Sequence, residues 1–277
     1  MPISHNTLKN YKYFFLSTFI LMKFVIPSYN RLEILKSRTL TMLERHKIPK
    51  NSIYIFVVEE EHAKYCKGLH LEYNIVIGKK GISNQRAFIS DYFDVHEPLV
   101  SLDDDVKEIY TLYKNCLGKK AIQPIKDLKK MIESTFNIME IQQVRMCGFY
   151  PVKNPFFMKF DITFDLKFCI GQFRLFFNVK EIEMHRKYKL LEDYETTLKY
   201  YLWDEAKIMR RNNICMDADY NKLPGGLKET ADRSYAEKKK EVEEFHFDYW
   251  VYSFIKEKGD KIDIGLKAKT NEFNIWT

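Results

Sequence analysis

The chain has 277 residues, 45% of them apolar and 30% charged, with a net charge of +7 and a pI near 8.9. It is long enough to bury one large α/β core or two modest ones, and its basic balance admits a polyanionic partner without requiring one. Five cysteines (Cys66, Cys116, Cys147, Cys169, Cys215) never fall in a C-x-x-C spacing, and no Asn-x-Ser/Thr sequon occurs. This argues against a disulfide framework, a zinc site and a secretory route, and for a reducing, cytoplasmic or nuclear setting.

The run from Tyr13 to Met22 is strongly apolar but meets Lys23 too early for a membrane span, which needs about 20 apolar residues. Residues 1–21 are therefore expected to be an apolar extension, with no membrane-spanning segment, ahead of a first strand ending in Ile26-Pro27. The stretch from Leu32 to His46 has near-helical apolar spacing, and Ile53 to Val58 reads as a second strand. A short helix, Glu60 to Cys66, leads to a third strand, Tyr73 to Ile77. Gly78-Lys79-Lys80-Gly81 is a turn before a helix from Asn84 to Phe93, and Leu99 to Leu102 is a fourth strand. Strands alternating with helices predict a mainly parallel sheet, whose ligands sit beyond the carboxyl ends of the strands, where Ser28, Glu59, Lys79 and Asp103 fall.

The second half is less regular. A helix is expected over Ile125 to Asn137 and strands near Val144 to Tyr150, Phe160 to Phe164 and Phe173 to Phe177. A helix starting at Glu192-Asp193, a loop at Pro224-Gly225-Gly226, a charged helix from Glu229 to Glu244 and a last strand from Lys261 to Lys267 follow. The basic pairs Lys119-Lys120, Lys129-Lys130 and Arg210-Arg211 and the run Lys238 to Lys240 read as solvated helix faces, and Lys119-Lys120, Arg210-Arg211 and Lys238 to Lys240 as phosphate contacts if they share one side.

Asp103-Asp104-Asp105 stands directly behind the fourth strand. Three adjacent carboxylates at the end of a buried strand are costly unless a cation neutralises them, which points to a divalent metal. A metal held by Asp103 and Asp105 would stabilise the charge that develops on a diphosphate leaving group. Ser28 and Arg31, in the loop that Pro27 stiffens, would bind a nucleotide through main-chain amides. Glu59 either accepts a hydrogen bond from a nucleobase or is an exposed acid within Glu59-Glu60-Glu61. Arg86 is a candidate donor to the diphosphate. Asp193, with Glu192 as substitute, is the candidate general base; both carboxylates also suit the start of a helix.

Taken in order, Ile26-Pro27-Ser28-Tyr29-Asn30-Arg31, Thr39-Leu40, Ile53 to Val58, Gly81 to Arg86, Leu102 to Val106 and Leu191-Glu192-Asp193-Tyr194 resemble the GT-A fold glycosyltransferases. Within them the likeness is greatest to the base J-type DNA glucosyltransferases and their viral and phage relatives. The resemblance covers roughly residues 22–230 and implies a GT-A, Rossmann-like α/β domain, with 231–277 a small C-terminal helix and strand packed on it. It implies Mn²⁺ or Mg²⁺ on Asp103 and Asp105 and a UDP-sugar donor contacted by Pro27, Ser28, Tyr29, Arg31, Glu59, Arg86, Asp103 and Asp104. Asp193 would be the base of an inverting transfer of glucose, with a hydroxymethylated pyrimidine in DNA as one acceptor and a glycan or protein as another. Where that family would show an Arg-Asn pair, this chain has Asn84-Gln85-Arg86. A nucleotidyltransferase is disfavoured because no Gly-rich loop follows the first strand. A non-catalytic nucleic-acid-binding protein would have no use for the two acidic motifs.

Overall fold

The computed structural model describes residues 22–218, 235–259 and 261–267. The expected residues 1–21 extension, the Pro224-Gly225-Gly226 loop and the start of the helix from Glu229 lie outside them. Strand β1 (Lys23–Pro27) is followed by α1 (Leu32–Leu35), a π-helical stretch (Lys36–Leu40) and α2 (Thr41–Arg45). Then come β2 (Ile53–Val57), α3 (Glu59–Gly68), β3 (Asn74–Ile77), α4 (Ile82–Tyr92) and β4 (Pro98–Leu102). Leu32, Leu35, Leu40 and Leu43 are all buried, so the near-helical apolar spacing does place one face inward. The π-helical stretch turns the polar Thr39 into the core.

The chain continues with β5 (Val106–Lys114), β6 (Lys120–Pro124), α5 (Leu128–Gln142), β7 (Met146–Tyr150), β8 (Ile162–Thr163) and β9 (Phe173–Phe177). Helices α6 (Lys180–Glu183) and α7 (Glu192–Trp203), strand β10 (Met209–Ala218), helix α8 (Tyr235–Asp248) and the hairpin β11 (Ser253–Lys258) and β12 (Lys261–Leu266) complete it. The main sheet has ten strands in the order β3-β2-β1-β4-β9-β7-β10-β5-β6, with β8 on β10. The first four are mutually parallel. Following the pairings across, β6, β7 and β10 share their direction, so seven of the ten strands run one way and β5, β8 and β9 run against them. This is the mixed, mainly parallel α/β sheet with flanking helices that the alternation of elements predicts.

The two faces of β1 show why both sides carry helices. Phe24 and Ile26 join a core with Leu35, Tyr65 and Phe136, while Val25 joins a second core with Ile89, Leu198 and Phe245. A strand buried on both faces reads as a continuous apolar run, as Phe24-Val25-Ile26 does. Helices α1 to α3 and α5 cover one face, and α4, α7 and α8 the other.

Two sequence expectations are corrected here. Lys119 and Lys120 are not on a helix face but in the β5–β6 hairpin. Arg210 and Arg211 are not on a helix face; they lie in β10, between β7 and β8. Arg211 donates from Nη1 to Thr135 Oγ1 at 2.8 Å, and Arg210 lies over the Tyr150 ring at 5.5 Å, so packing within the sheet has overridden the polar local sequence. No helix among the described residues is long and apolar enough to cross a membrane.

Candidate functional site

The strand order places the site. From β1 the chain winds outward to β2 and β3, then returns to lay β4 on the other side of β1, so the winding reverses between β1 and β4. In open α/β sheets the crevice beyond the carboxyl ends at such a reversal is where ligands bind. Pro27-Ser28-Tyr29 ends β1 there, and Asp103-Asp104-Asp105 ends β4. A cavity of about 560 Å³ opens over them, in the range usual for small-molecule sites. Its walls bring together Pro27, Ser28, Tyr29, Arg31, Arg86, Asp103, Asp104, Asp105, Glu192 and Asp193.

The main-chain amides of Ser28 and Arg31, expected to meet a nucleotide, are already used within the protein. Ser28 N–H donates to Phe56 O at 2.9 Å, Asn30 N–H to Glu61 Oε2 at 2.6 Å and Arg31 N–H to the Tyr65 hydroxyl at 3.2 Å. Asn30 takes a left-handed conformation (φ 55°), which this residue type tolerates better than most. Burial raises the Tyr65 hydroxyl to about 12, so it stays a neutral donor and acceptor beneath the loop. What faces the cavity is therefore side chain: the Ser28 hydroxyl and the Arg31 guanidinium.

Both of those groups hold Asp104. Ser28 Oγ donates to Asp104 Oδ2 at 2.8 Å and Arg31 Nη1 to Oδ1 at 3.2 Å. Arg31 also reaches Asp105 Oδ2 at 3.5 Å. Asp104 is only 4% exposed, and burial, partly offset by Arg31 and Ser28, lifts its carboxyl to about 7. Thr39 pins the turn from within the core: its hydroxyl donates to Asp103 O at 2.7 Å and accepts from Val106 N–H at 3.0 Å. Asp104 is thus turned towards the β1 loop, and Asp105 is equally buried at 4% exposed, so of the trio only Asp103, with its side chain 26% exposed, opens to the cavity.

On the opposite wall Arg86, from α4, is the central contact. Its Nη2 reaches Asp103 Oδ1 at 3.3 Å, and its Nη1 reaches Asp193 Oδ1 at 2.6 Å and also Glu192 Oε1. Burial opposes its charge, but the fields of Asp193, Asp103 and Glu183 prevail and raise its pKa above the ordinary value. Glu192 is further held by Arg186 Nε at 3.7 Å, and Arg186 and Arg174 both pair with the fully buried Glu183. The Asp193 side chain is 25% exposed and that of Glu192 only 8%, so Asp193 opens to the cavity while Glu192 is a buried counter-ion. Gly171 makes this approach possible: a Cβ there would stand 2.2 Å from Asp193 Oδ1 and 2.3 Å from Arg86 Nη1.

Glu59 is not brought in. It is exposed in the first turn of α3, where it faces the positive end of the helix dipole, and Val58 takes its place on the cavity wall. Lys79, expected at a strand end, does line the wall, whereas Phe168, Gln172 and Lys189 carry no sequence signal. Phe168 stacks on Tyr194 at 4.2 Å and forms an aromatic wall, Gln172 O accepts from Asp103 N–H at 2.9 Å, and Lys79 and Lys189 complete the basic side. The C-terminal helix takes part as well: Glu241 Oε1 accepts from Leu190 and Leu191 N–H at 2.6 and 2.7 Å and so sets the start of α7.

The described residues form no group of three or more His, Cys, Asp or Glu side chains arranged to hold a metal. Mg²⁺ and similar ions are commonly held by one or two carboxylates with substrate phosphate and water supplying the rest. Two carboxylates at the cavity floor, the part-exposed Asp103 and the buried Asp105, are the pair such a site would use.

No known protein-family profile matches the chain, and no curated protein matches it. Among solved structures it is similar to 4-diphosphocytidyl-2C-methyl-D-erythritol synthase from Anaerococcus prevotii, 10% identical over 73% of this chain and 88% of that one, with a TM-score of 0.42. It is also similar to CMP:2-keto-3-deoxy-manno-octonic acid synthetase complexed with CTP, 9% identical over 69% and 88%, TM-score 0.41. A third is mannose-6-phosphate isomerase from Helicobacter pylori, 12% identical over 68% and 85%, TM-score 0.37. Likeness at this level assigns no activity, and the strand pairings and the cavity carry the argument that follows.

Proposed function

We propose that this chain is a group-transfer enzyme acting on a nucleotide-diphosphate substrate, with the phosphates over Asp103 and Asp105. More narrowly, we propose a metal-dependent glycosyltransferase that moves a hexose, glucose from UDP-glucose in the first instance, to a hydroxyl acceptor with inversion. The observation that carries this is the pairing across one cavity of two partly open carboxylates, Asp103 and Asp193, joined by the single guanidinium of Arg86. Mn²⁺ or Mg²⁺ bound by Asp103 and Asp105 would neutralise the leaving diphosphate.

The chain's own residues do the rest. Arg31 and Lys79 add positive charge beside the diphosphate, and Arg86 fixes Asp103 and Asp193 relative to each other. Asp193 Oδ accepts the acceptor hydroxyl proton as that oxygen attacks the anomeric carbon from the face away from the diphosphate. The Phe168–Tyr194 stack keeps water from that side.

The test is UDP release from UDP-glucose with Mn²⁺, with and without DNA containing hydroxymethylated pyrimidines, for the native chain and Asp105→Asn. The reading expects turnover that Asp105→Asn abolishes with the fold unchanged. Stimulation by the modified DNA would make a hydroxymethylated base the acceptor; DNA-indifferent release would move it to a glycan or protein. Pyrophosphate release from CTP or UTP with a sugar phosphate, without UDP-glucose turnover, would replace glycosyl by nucleotidyl transfer.

A further inference from the structure

The cavity rim at Pro151 and Val152 runs into a surface of different character. The segment that follows β7 carries Phe156, 76% exposed, and Phe157, 58% exposed, with Phe160 also half exposed. These side chains are not the loose end of a floppy loop. Met158, between them, is fully buried in a small core with Leu112 and Cys215, and Lys120 Nζ donates to the carbonyls of Phe156 (3.3 Å) and Met158 (2.8 Å). A loop anchored in this way holds its aromatic side chains outward against the hydrophobic effect, and such exposure marks an interaction surface.

Charge identifies the partner. Residues 141–160 contain no Asp or Glu, nor do residues 109–126, the β5–β6 hairpin that Lys120 ties to this loop. Lysines flank the aromatic side chains: Lys153 and Lys159 in the loop, Lys114 and Lys119 on the hairpin. Two acids enter this side, Asp217 of β10, paired with Lys153 at 2.7 Å, and the exposed Asp161, which follows Phe160 and accepts from Asn212 Nδ2 at 2.7 Å, so the lysines remain in excess. Phe156 and Phe157 meet edge to face (88°, 4.9 Å), so they form a protruding apolar knob rather than open ring faces along a groove, and a stacking site for single-stranded nucleic acid needs the latter.

We propose that this knob docks the protein on an anionic lipid bilayer: Phe156, Phe157 and Phe160 enter the interface, and the surrounding lysines meet the headgroups. This is peripheral binding, with the protein lying on the membrane and the rim of the cavity brought to its surface. It rests on this loop's own geometry and not on the reaction proposed above.

The experiment is co-sedimentation of the full chain with phosphatidylcholine vesicles, with and without phosphatidylserine. Binding is expected only when phosphatidylserine is present and is expected to weaken as salt rises. Phe156→Ser should weaken it about tenfold or more, since a full apolar ring leaves the lipid. Lys159→Glu should weaken it by at least about fivefold, the effect of one cation near the surface. Both residues are exposed, so circular dichroism should be unchanged, and it serves as the control on folding. Failure to bind vesicles of either composition, or equal binding by Phe156→Ser, overturns the proposal. So does tighter binding to a single-stranded oligonucleotide than to vesicles.

Discussion

The two walls of the cavity handle buried charge in opposite ways. At the end of β4 three carboxylates face the single guanidinium of Arg31, with Arg86 shared from across the cavity, and Asp104 is pushed up to about 7 as a result of its burial. On the α6–α7 side Arg86, Arg174 and Arg186 meet Glu183, Glu192 and Asp193, and Glu183 is held below the usual carboxylate range although burial opposes it. An excess of negative charge is what a site requires if its remaining positive charge arrives with a ligand. A balanced network needs nothing further, and it fixes the geometry of the side chains it contains.

Arg86 joins the two walls, so its removal is the most severe way to break the contrast. Arg86→Ala removes the cation shared by Asp103, Glu192 and Asp193, leaves Glu192 only the longer contact to Arg186, and should destabilise the fold by about 3–5 kcal/mol in urea unfolding, with turnover lost. If stability is unchanged, the balanced wall is not a scaffold.

Glu183→Gln sharpens the comparison through pH. Because the folded carboxyl titrates below its unfolded value, its stabilisation is complete above the ordinary carboxylate range and disappears as pH falls through the depressed folded value. The native chain should therefore lose stability below about pH 5, while the variant, less stable by about 3 kcal/mol at neutral pH, should show a shallower slope there. Equal slopes would mean that Glu183 does not contribute to acid sensitivity.

Gly171→Ala tests geometry without touching charge. The added Cβ must displace the ends of the Arg86 and Asp193 side chains, so turnover should fall sharply for a stability loss of only about 1–3 kcal/mol. Unimpaired turnover would show that the pair tolerates being moved. The smallest effect belongs to the rim, where Lys238 and Asp263 form a half-exposed pair at 3.5 Å. Lys238→Ala should change stability by no more than about 0.5 kcal/mol, and a larger change in thermal unfolding would place this pair within the network rather than at its edge.

These differences follow how far apart in sequence the interacting residues lie. The parallel half of the sheet was legible because Phe24 to Ile26, Ile53 to Val57 and Leu99 to Leu102 are apolar runs buried on both faces and separated by helical spacing. The acidic trio was legible because its members are adjacent. The strand β10 was not, since Met-Arg-Arg-Asn-Asn is polar and becomes a strand only through its neighbours β7 and β5. Nor was the role of Glu183, whose partners Arg174 and Arg186 surround it only when α6 packs behind β9. Arg86 was visible as a candidate for the diphosphate, but its grip on Glu192, 106 residues away, has no local signature.

That separation also has a meaning in time. Ser28 meets Asp104 across 76 residues, all within the parallel half, whereas Arg86 meets Glu192 only after the chain has laid down β5 to β9 and returned with α7. Contacts that close the longer loop pay more chain entropy before they gain anything. The wall that carries Asp103 to Asp105 can thus be complete while the wall that carries Asp193 is still unformed. For the transferase proposed above, refolding followed by nucleotide binding and by turnover should show the first recovering ahead of the second.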